Sequence, residues 1–251
     1  MKIPAEQIVQ NWNDLLKVID DNFEGERKDK LKALYTDFEE RMMMAPASGI
    51  EHFHNAFGGG YVDHVLRVIK GASKVYETWQ DMGSPCDGYT KEELMFVALN
   101  HDLGKVGTKE HAYYIPNPSD WHRKNQGAIF DTNPEIDHMP VQHRSIRLLN
   151  QYGITMSSNE MIAIMIHDGL YDESNSVYYK PYGKGKQLKT NLAHIIHQAD
   201  LMASKIEYEI WLNKVGSKKT TIKKANPHVK ATLSSANDSA TDVFASLFGD
   251  K

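Results

Sequence analysis

The chain has 251 residues and a formal net charge of −4 at pH 7. That length suffices for one substantial core plus a small appendage, and the acidic balance argues against a surface coated with basic residues for duplex nucleic acid. A single cysteine, Cys86, excludes an intramolecular disulfide and fits a reducing compartment. The first residues carry no apolar leader and no run approaches the roughly 18 apolar residues of a membrane span, so a soluble cytoplasmic protein without membrane contact is expected.

Residues 4–24 carry Ile8, Trp12, Leu15, Leu16 and Ile19 at helical spacing, and 26–44 carry Leu31, Leu34, Tyr35, Phe38 and Met42 after a break at Gly25. The pattern predicts a helical pair, residues 1–45, packed on a larger domain spanning 46–214. A loop rich in histidine and glycine, residues 50–60, leads into a helix over 61–80 with His64 near its start. Thr90 and Glu93 have capping-box spacing at the head of an apolar helix, Leu94 to Leu99. That helix delivers His101-Asp102, and Gly104 is read as its stop. Adjacent helical residues point about 100° apart, so one ion can touch both only at a helix end.

Residues 106–140 leave the helical pattern. Segments 113–115 and 127–130 read as two short strands around a polar connection, a hairpin or flap whose Tyr113, Tyr114, Trp121 and Phe130 either stack a base or pack on the helices. Helices follow over 141–152 and 157–167, then an irregular stretch over 169–187, then a helix over 188–214. From 215 the chain turns basic and polar, with Lys218, Lys219, Lys223 and Lys224, and reads as a disordered tail closing on Phe244-Ala245-Ser246-Leu247-Phe248. The fold class expected is all-α, a helical core with a small β-hairpin insertion and a disordered C-terminal tail.

Metal-competent residues recur at helix ends: His64 opens one helix, His101-Asp102 closes the next, His143 opens another, His167 closes its successor and Asp200 lies within the last. Each has apolar neighbours and would point into a shared interior, where several unpaired imidazoles and carboxylates are costly without a cation. His194 and His197 join Asp200 on one face of the last helix, which offers a self-contained site as an alternative or groups that support the ligands. Asp168 is read as a cap or a metal contact, with a place behind the ligands preferred.

This order resembles the HD-domain metal-dependent phosphohydrolase superfamily, with its His … His-Asp … Asp signature across a helical core, over roughly residues 45–210. The resemblance implies His64, His101, Asp102 and Asp200 as signature ligands, and His143 and His167 as the additions of the branch that binds two metals. His101-Asp102-Leu103-Gly104-Lys105 is similar to that branch's His-Asp-(Ile/Leu)-Gly-Lys, in which the lysine lies near the substrate phosphate. Pro46-Ala47-Ser48, His54-Asn55-Ala56-Phe57-Gly58-Gly59 and Asp63-His64 are similar to YhaM-type 3′–5′ exoribonucleases, with Asn55 at a histidine position and Tyr61-Val62 in place of two leucines. Their nucleic-acid-binding OB module has no counterpart in this sequence.

Histidines mixed with carboxylates suit two divalent transition ions, Mn, Fe, Co, Ni or Zn, rather than Mg or Ca. Two such ions about 3.5–4 Å apart can activate a water and hold a phosphate. Asp102, with two oxygens, is the natural bridge, and Lys105 would neutralise phosphoryl charge. Arg144 is a second candidate phosphate cation, and His54 makes either a loop hydrogen bond or a substrate contact. The expected function is a phosphohydrolase acting on a nucleotide or a nucleic-acid 3′ end. Alternatives are a di-iron oxygenase using the same six ligands, and a non-enzymatic scaffold that docks on a sliding clamp through Phe244 to Phe248, a patch that also reads as a chance apolar end.

Overall fold

The computed structural model of the chain describes residues 2–216. The basic run from Lys218 and the patch from Phe244 to Phe248, with the clamp-docking expectation that rests on it, lie outside the described residues. The elements that build the site belong to the first of two units, which ends at Leu212.

Helix α1 (Ala5–Asn22) buries Trp12, Leu15 and Ile19 along one stripe. The single helix expected over 26–44 is two, α2 (Gly25–Asp37) and α3 (Glu39–Met44), because Phe38 leaves helical geometry and its ring enters the core at 3% exposure. From α2 the Tyr35 hydroxyl donates to Leu99 O at 3.1 Å and lies 3.2 Å from the Asn100 side-chain oxygen. The N-terminal pair therefore braces the backbone that immediately precedes His101.

Helix α4 (Gly60–Asp81) starts from Gly59 at φ +87°, a left-handed conformation that glycine adopts without strain. Next comes α5 (Lys91–Asn100), whose Thr90–Glu93 capping box is made in both directions and contributes on the order of 1 kcal/mol. Every residue from Leu94 to Asn100 is buried. A helix apolar on all sides has to run through the middle of its neighbours, and α5 does so.

After α5 a short 3-10 turn, Leu103–Val106, follows. Gly104 is needed there for a reason other than a helix stop: a Cβ on it would lie 2.1 Å from Val141 O, at the start of a later helix. The hairpin forms from β1 (Tyr114–Pro116) and β2 (Phe130–Thr132), antiparallel with Tyr114 opposite Thr132. The polar connection between them is a helix, α6 (Asp120–Gln126), capped by the Ser119 side chain. Gly127 ends it at φ +65°, so the second strand begins later than the periodicity predicts. Ala128 pairs with Ile50 and ties the hairpin to the loop before α4.

Helix α7 (Val141–Gln151) packs against the Leu103–Val106 turn and against α8 (Ser158–Met165), and α8 packs against α5; Ser157 and Glu160 form a second reciprocal cap. The irregular stretch holds 3-10 turns at Gly169–Tyr171 and Glu173–Asn175 and a short α9 (Ser176–Tyr179). Helix α10 (Leu192–Gly216) closes the described residues. The architecture is mostly helical with one small antiparallel hairpin, as the sequence predicts. No helix among the described residues is long and apolar enough to cross a membrane.

Candidate metal centre

Five side chains meet where the inner ends of α4, α5 and α8 face the first half of α10. His64 points inward from the first turns of α4, His101 ends α5, and Asp102 begins the 3-10 turn. His167 lies just beyond α8, and Asp200 on α10 completes the set. His64 Nε2 is 3.1 Å from Asp200 Oδ1 and 3.6 Å from Asp102 Oδ2. His101 Nε2 is 3.5 Å from the same Asp102 oxygen, while His167 Nε2 is 3.7 Å from Asp102 Oδ1. Asp102 thus turns one oxygen toward His64 and His101 and the other toward His167.

The opposite ring nitrogens explain what the cluster wants. His101 Nδ1 lies 2.9 Å from Ala98 O and His167 Nδ1 lies 2.8 Å from Ile164 O, and both oxygens can only accept. His64 Nδ1 meets the buried Glu207 carboxylate at 3.1 Å. All three Nδ1 atoms therefore carry the proton and donate, which leaves the Nε2 lone pairs facing the carboxylates. His64 Nε2 and His101 Nε2 are buried and make no hydrogen bond. Acceptors facing acceptors in a buried pocket repel unless a proton or a metal cation lies among them. Imidazoles that donate backward to a carbonyl or carboxylate and present the other nitrogen forward are the usual form of histidine metal ligands.

Three overlapping groups have ligand atoms close enough to share an ion: His64, His101 and Asp200; His101, Asp102 and His167; and His167, Asp168 and Asp200. Two divalent ions fit this donor set.

Electrostatics agree with this donor set. Burial opposes protonation of His64, yet the Glu207 and Asp200 carboxylates push it up to about 10. His167 rises to about 9, again against burial, under Asp102 and Asp168. His101 goes the other way, to about 4, because burial outweighs Asp102 and Asp200. Asp102 stays well below the usual carboxylate range despite burial, held by Lys105 and the imidazoles, and Asp200 is lowered by His64 in the same way. Ionised carboxylates draw positive charge into the pocket. A proton would add at Nε2, the atom a metal would use, so the two compete there.

Lys105 Nζ lies 2.6 Å from Asp102 Oδ2, with the side chain 12% exposed. It shares with Asp102, His167, Asp168 and Asp200 the wall of a cavity of about 430 Å³. His54 also lines it, with its ring 5.0 Å from that of His64. Phe53 and Tyr171, 51% and 73% exposed, stand with Lys205 and Tyr208 around the same opening.

Two expected site residues are not brought here. His143 is exposed and belongs to none of the ligand groups. Its helix turns Gln142, Ser145 and Leu149 inward, and Ser145 fixes that face by accepting from Gly104 N–H at 2.8 Å and donating to His101 O. Residue 143 then falls on the outer face with Arg147 and Asn150. Arg144 is buried but looks elsewhere: its guanidinium lies 4.9 Å over the Tyr113 ring and donates to Asp137 O, in the wall of a different cavity. Tyr113, Tyr114, Trp121 and Phe130 do not line the cavity beside Lys105.

His194 stacks on Trp79 and stays out of the ligand groups, which disposes of the single-helix site. His197 supports the centre through Nδ1, 2.9 Å from His167 O. Two further groups matter. Asp168 Oδ1 is 3.7 Å from His167 Nε2 and joins a ligand group, the metal contact that was one of its expected roles. Glu207 lies two helical turns after Asp200, the spacing that puts both on one face of α10.

No family model, curated protein or solved structure matches this chain. The cluster of histidines and aspartates at the ends of helices is consistent with the HD-domain superfamily in general.

Proposed function

We propose that the chain is a two-metal phosphohydrolase of HD type that cleaves a phosphoester or phosphoanhydride of a nucleotide. The observation that carries this reading is the convergence of three Nε2 atoms and ionised carboxylates around Asp102, with each of the three Nδ1 atoms engaged behind it. His64, His101 and Asp200 would hold one ion, His167 and Asp168 the other, and Asp102 would face both. When bound, such a pair acidifies a water and neutralises phosphoryl oxygens, a demanding combination for side chains alone.

The chain's own residues supply the rest. Lys105, charged and at the cavity wall, is placed to meet a phosphate oxygen as negative charge grows on it. His54 is pushed down to about 3, chiefly by burial, so it reaches substrate as a neutral hydrogen-bonding group rather than a cation. Phe53, Tyr171 and Tyr208 offer ring faces for a base at the opening, and Lys205 offers a charge for a second phosphate. The likeness of the loop around His54-Asn55 to YhaM-type exonucleases keeps a short nucleic-acid 3′ end within the substrate class. Residues 46–214 would form the catalytic domain, with residues 1–45 bracing it and 215–251 dispensable for turnover.

The test is metal analysis of the purified chain together with phosphate release from a panel of nucleoside mono-, di- and triphosphates and short oligonucleotides. Two ions per chain and release that stops with Asp102→Ala are expected. Fewer than one ion after reconstitution would overturn the reading, and metal-dependent oxygen uptake lost with Asp102→Ala would replace it with dioxygen chemistry.

A further inference from the structure

Behind His64, on the side away from the cavity, runs a chain of charged groups that the proposed hydrolysis does not use. Glu207 on α10 is 1% exposed, and its carboxylate lies 3.1 and 3.2 Å from His64 Nδ1. Arg67 Nε donates to Glu207 at 3.0 Å, and Arg67 Nη2 donates to Asp63 at 3.0 Å. Asp63 in turn accepts from the Asn55 side chain at 2.8 Å. Asn55 is one of two non-glycine residues at positive φ among the described residues, at +41°, and follows His54 in the loop that lines the cavity. A fully buried carboxylate is expensive to keep and is retained where it does something a neutral group would not.

We propose that Glu207 is the positioning residue that makes His64 a metal ligand, and that Arg67 and Asp63 extend this hold to the loop carrying His54. The inference rests on the two-metal reading. A carboxylate has no proton to give, so it fixes the Nδ1–H tautomer of His64 and turns the Nε2 lone pair toward Asp200 and Asp102. His101 and His167 obtain the same tautomer from backbone carbonyls. His64 alone among the three has a full negative charge behind it, which makes it the strongest donor of the set. In Glu207→Gln the amide oxygen can serve Arg67 while its NH2 faces Nδ1, which favours the opposite tautomer with Nε2 protonated.

The experiment titrates Mn²⁺ into the full chain and the variants Glu207→Gln, His64→Ala and the double variant, followed by electron paramagnetic resonance. The unaltered chain should bind two ions, and fewer would fail the two-metal reading itself; His64→Ala should lose one, and if it keeps both, His64 is no ligand and the proposal falls. With that loss established, Glu207→Gln should weaken Mn²⁺ at the same site by about ten- to hundredfold, and adding it to His64→Ala should change little. Wild-type affinity in Glu207→Gln, or an equal further loss in the double variant, overturns the proposal. A measurement on the unaltered chain stands independently of how the variants fold. In the Zn²⁺-loaded protein, nitrogen-15 spectra should show the His64 proton on Nδ1, and a proton on Nε2 would overturn the proposal.

Discussion

Lys105 Nζ touches Asp102 Oδ2 at 2.6 Å, and Asp102 is the N-cap of the 3-10 turn that carries Lys105. The carboxylate that faces all three cluster histidines therefore also holds the lysine proposed to meet substrate. The proposed metal centre needs Asp102 ionised, and Lys105 shares that task with His101 and His167, which remain when the lysine is removed. Lys105→Met should leave two ions bound while lowering phosphate release by about 10²–10³, the usual loss for one electrostatic contact to a transition state. Parallel metal analysis and turnover check this, and loss of metal along with turnover would assign Lys105 to holding the centre instead.

Removing Asp102 separates stability from chemistry. In Asp102→Ala the Lys105 ammonium, largely buried, loses its carboxylate, and breaking such a pair from one side costs about 3–5 kcal/mol. The double variant Asp102→Ala/Lys105→Met removes both charges and should regain most of that loss. Thermal melts in chelator should show the recovery, and phosphate release should remain absent in both variants. A double variant no more stable than the single would mean that Lys105 is solvated well enough to stand alone.

The contrast between residues 143 and 168 gives a third prediction. His143 is exposed on the outer face of α7, so His143→Ala should keep both ions and stay within about 0.5 kcal/mol of the parent stability. Asp168 reaches toward His167 Nε2 at 3.7 Å, so Asp168→Asn should weaken the ion on that side by about tenfold or more. Mn²⁺ titration of the two variants distinguishes the assignments; the reverse pattern would restore His143 as a ligand.

These two positions show where the sequence was legible. His64, His101, Asp102 and His167 could be found because each closes or opens an apolar helical run and Asp200 because it sits within one, and the fully apolar stretch from Leu94 marked the central helix. Helix existence follows from periodicity, which is local. The rotation of α7 does not: it is set by Ser145 against Gly104 and His101, a contact across some forty residues of chain. A rotation of one residue, about 100°, decides whether 143 faces the centre or solvent. Glu207 was hidden for a related reason, since an acidic residue on a long helix reads as surface until His64 and Arg67 are placed against it. The break at Phe38 and the helix inside the hairpin likewise depend on what the chain packs against.

His54 gives the pH prediction. Burial first, then the positive charges of Lys105 and His64, lower it to about 3, far below its ordinary value near 6.5. A bound divalent ion would press in the same direction. The sign follows from proton counting: between pH 6.5 and about 3 the unfolded chain binds a proton on this ring and the folded chain does not. Folding stability from this group is thus intact above pH 6.5 and is eroded as the pH falls toward 3, at a limiting slope of about 1.4 kcal/mol per pH unit. His54→Asn cannot take up that proton in either state, so its stability should fall less steeply between pH 6 and 4. Denaturant unfolding of both proteins at several pH values, with Mn²⁺ held in excess, compares the two slopes. Equal slopes would show that His54 takes up its proton in the folded chain, and a charged ring would then stand beside Lys105 at the cavity wall.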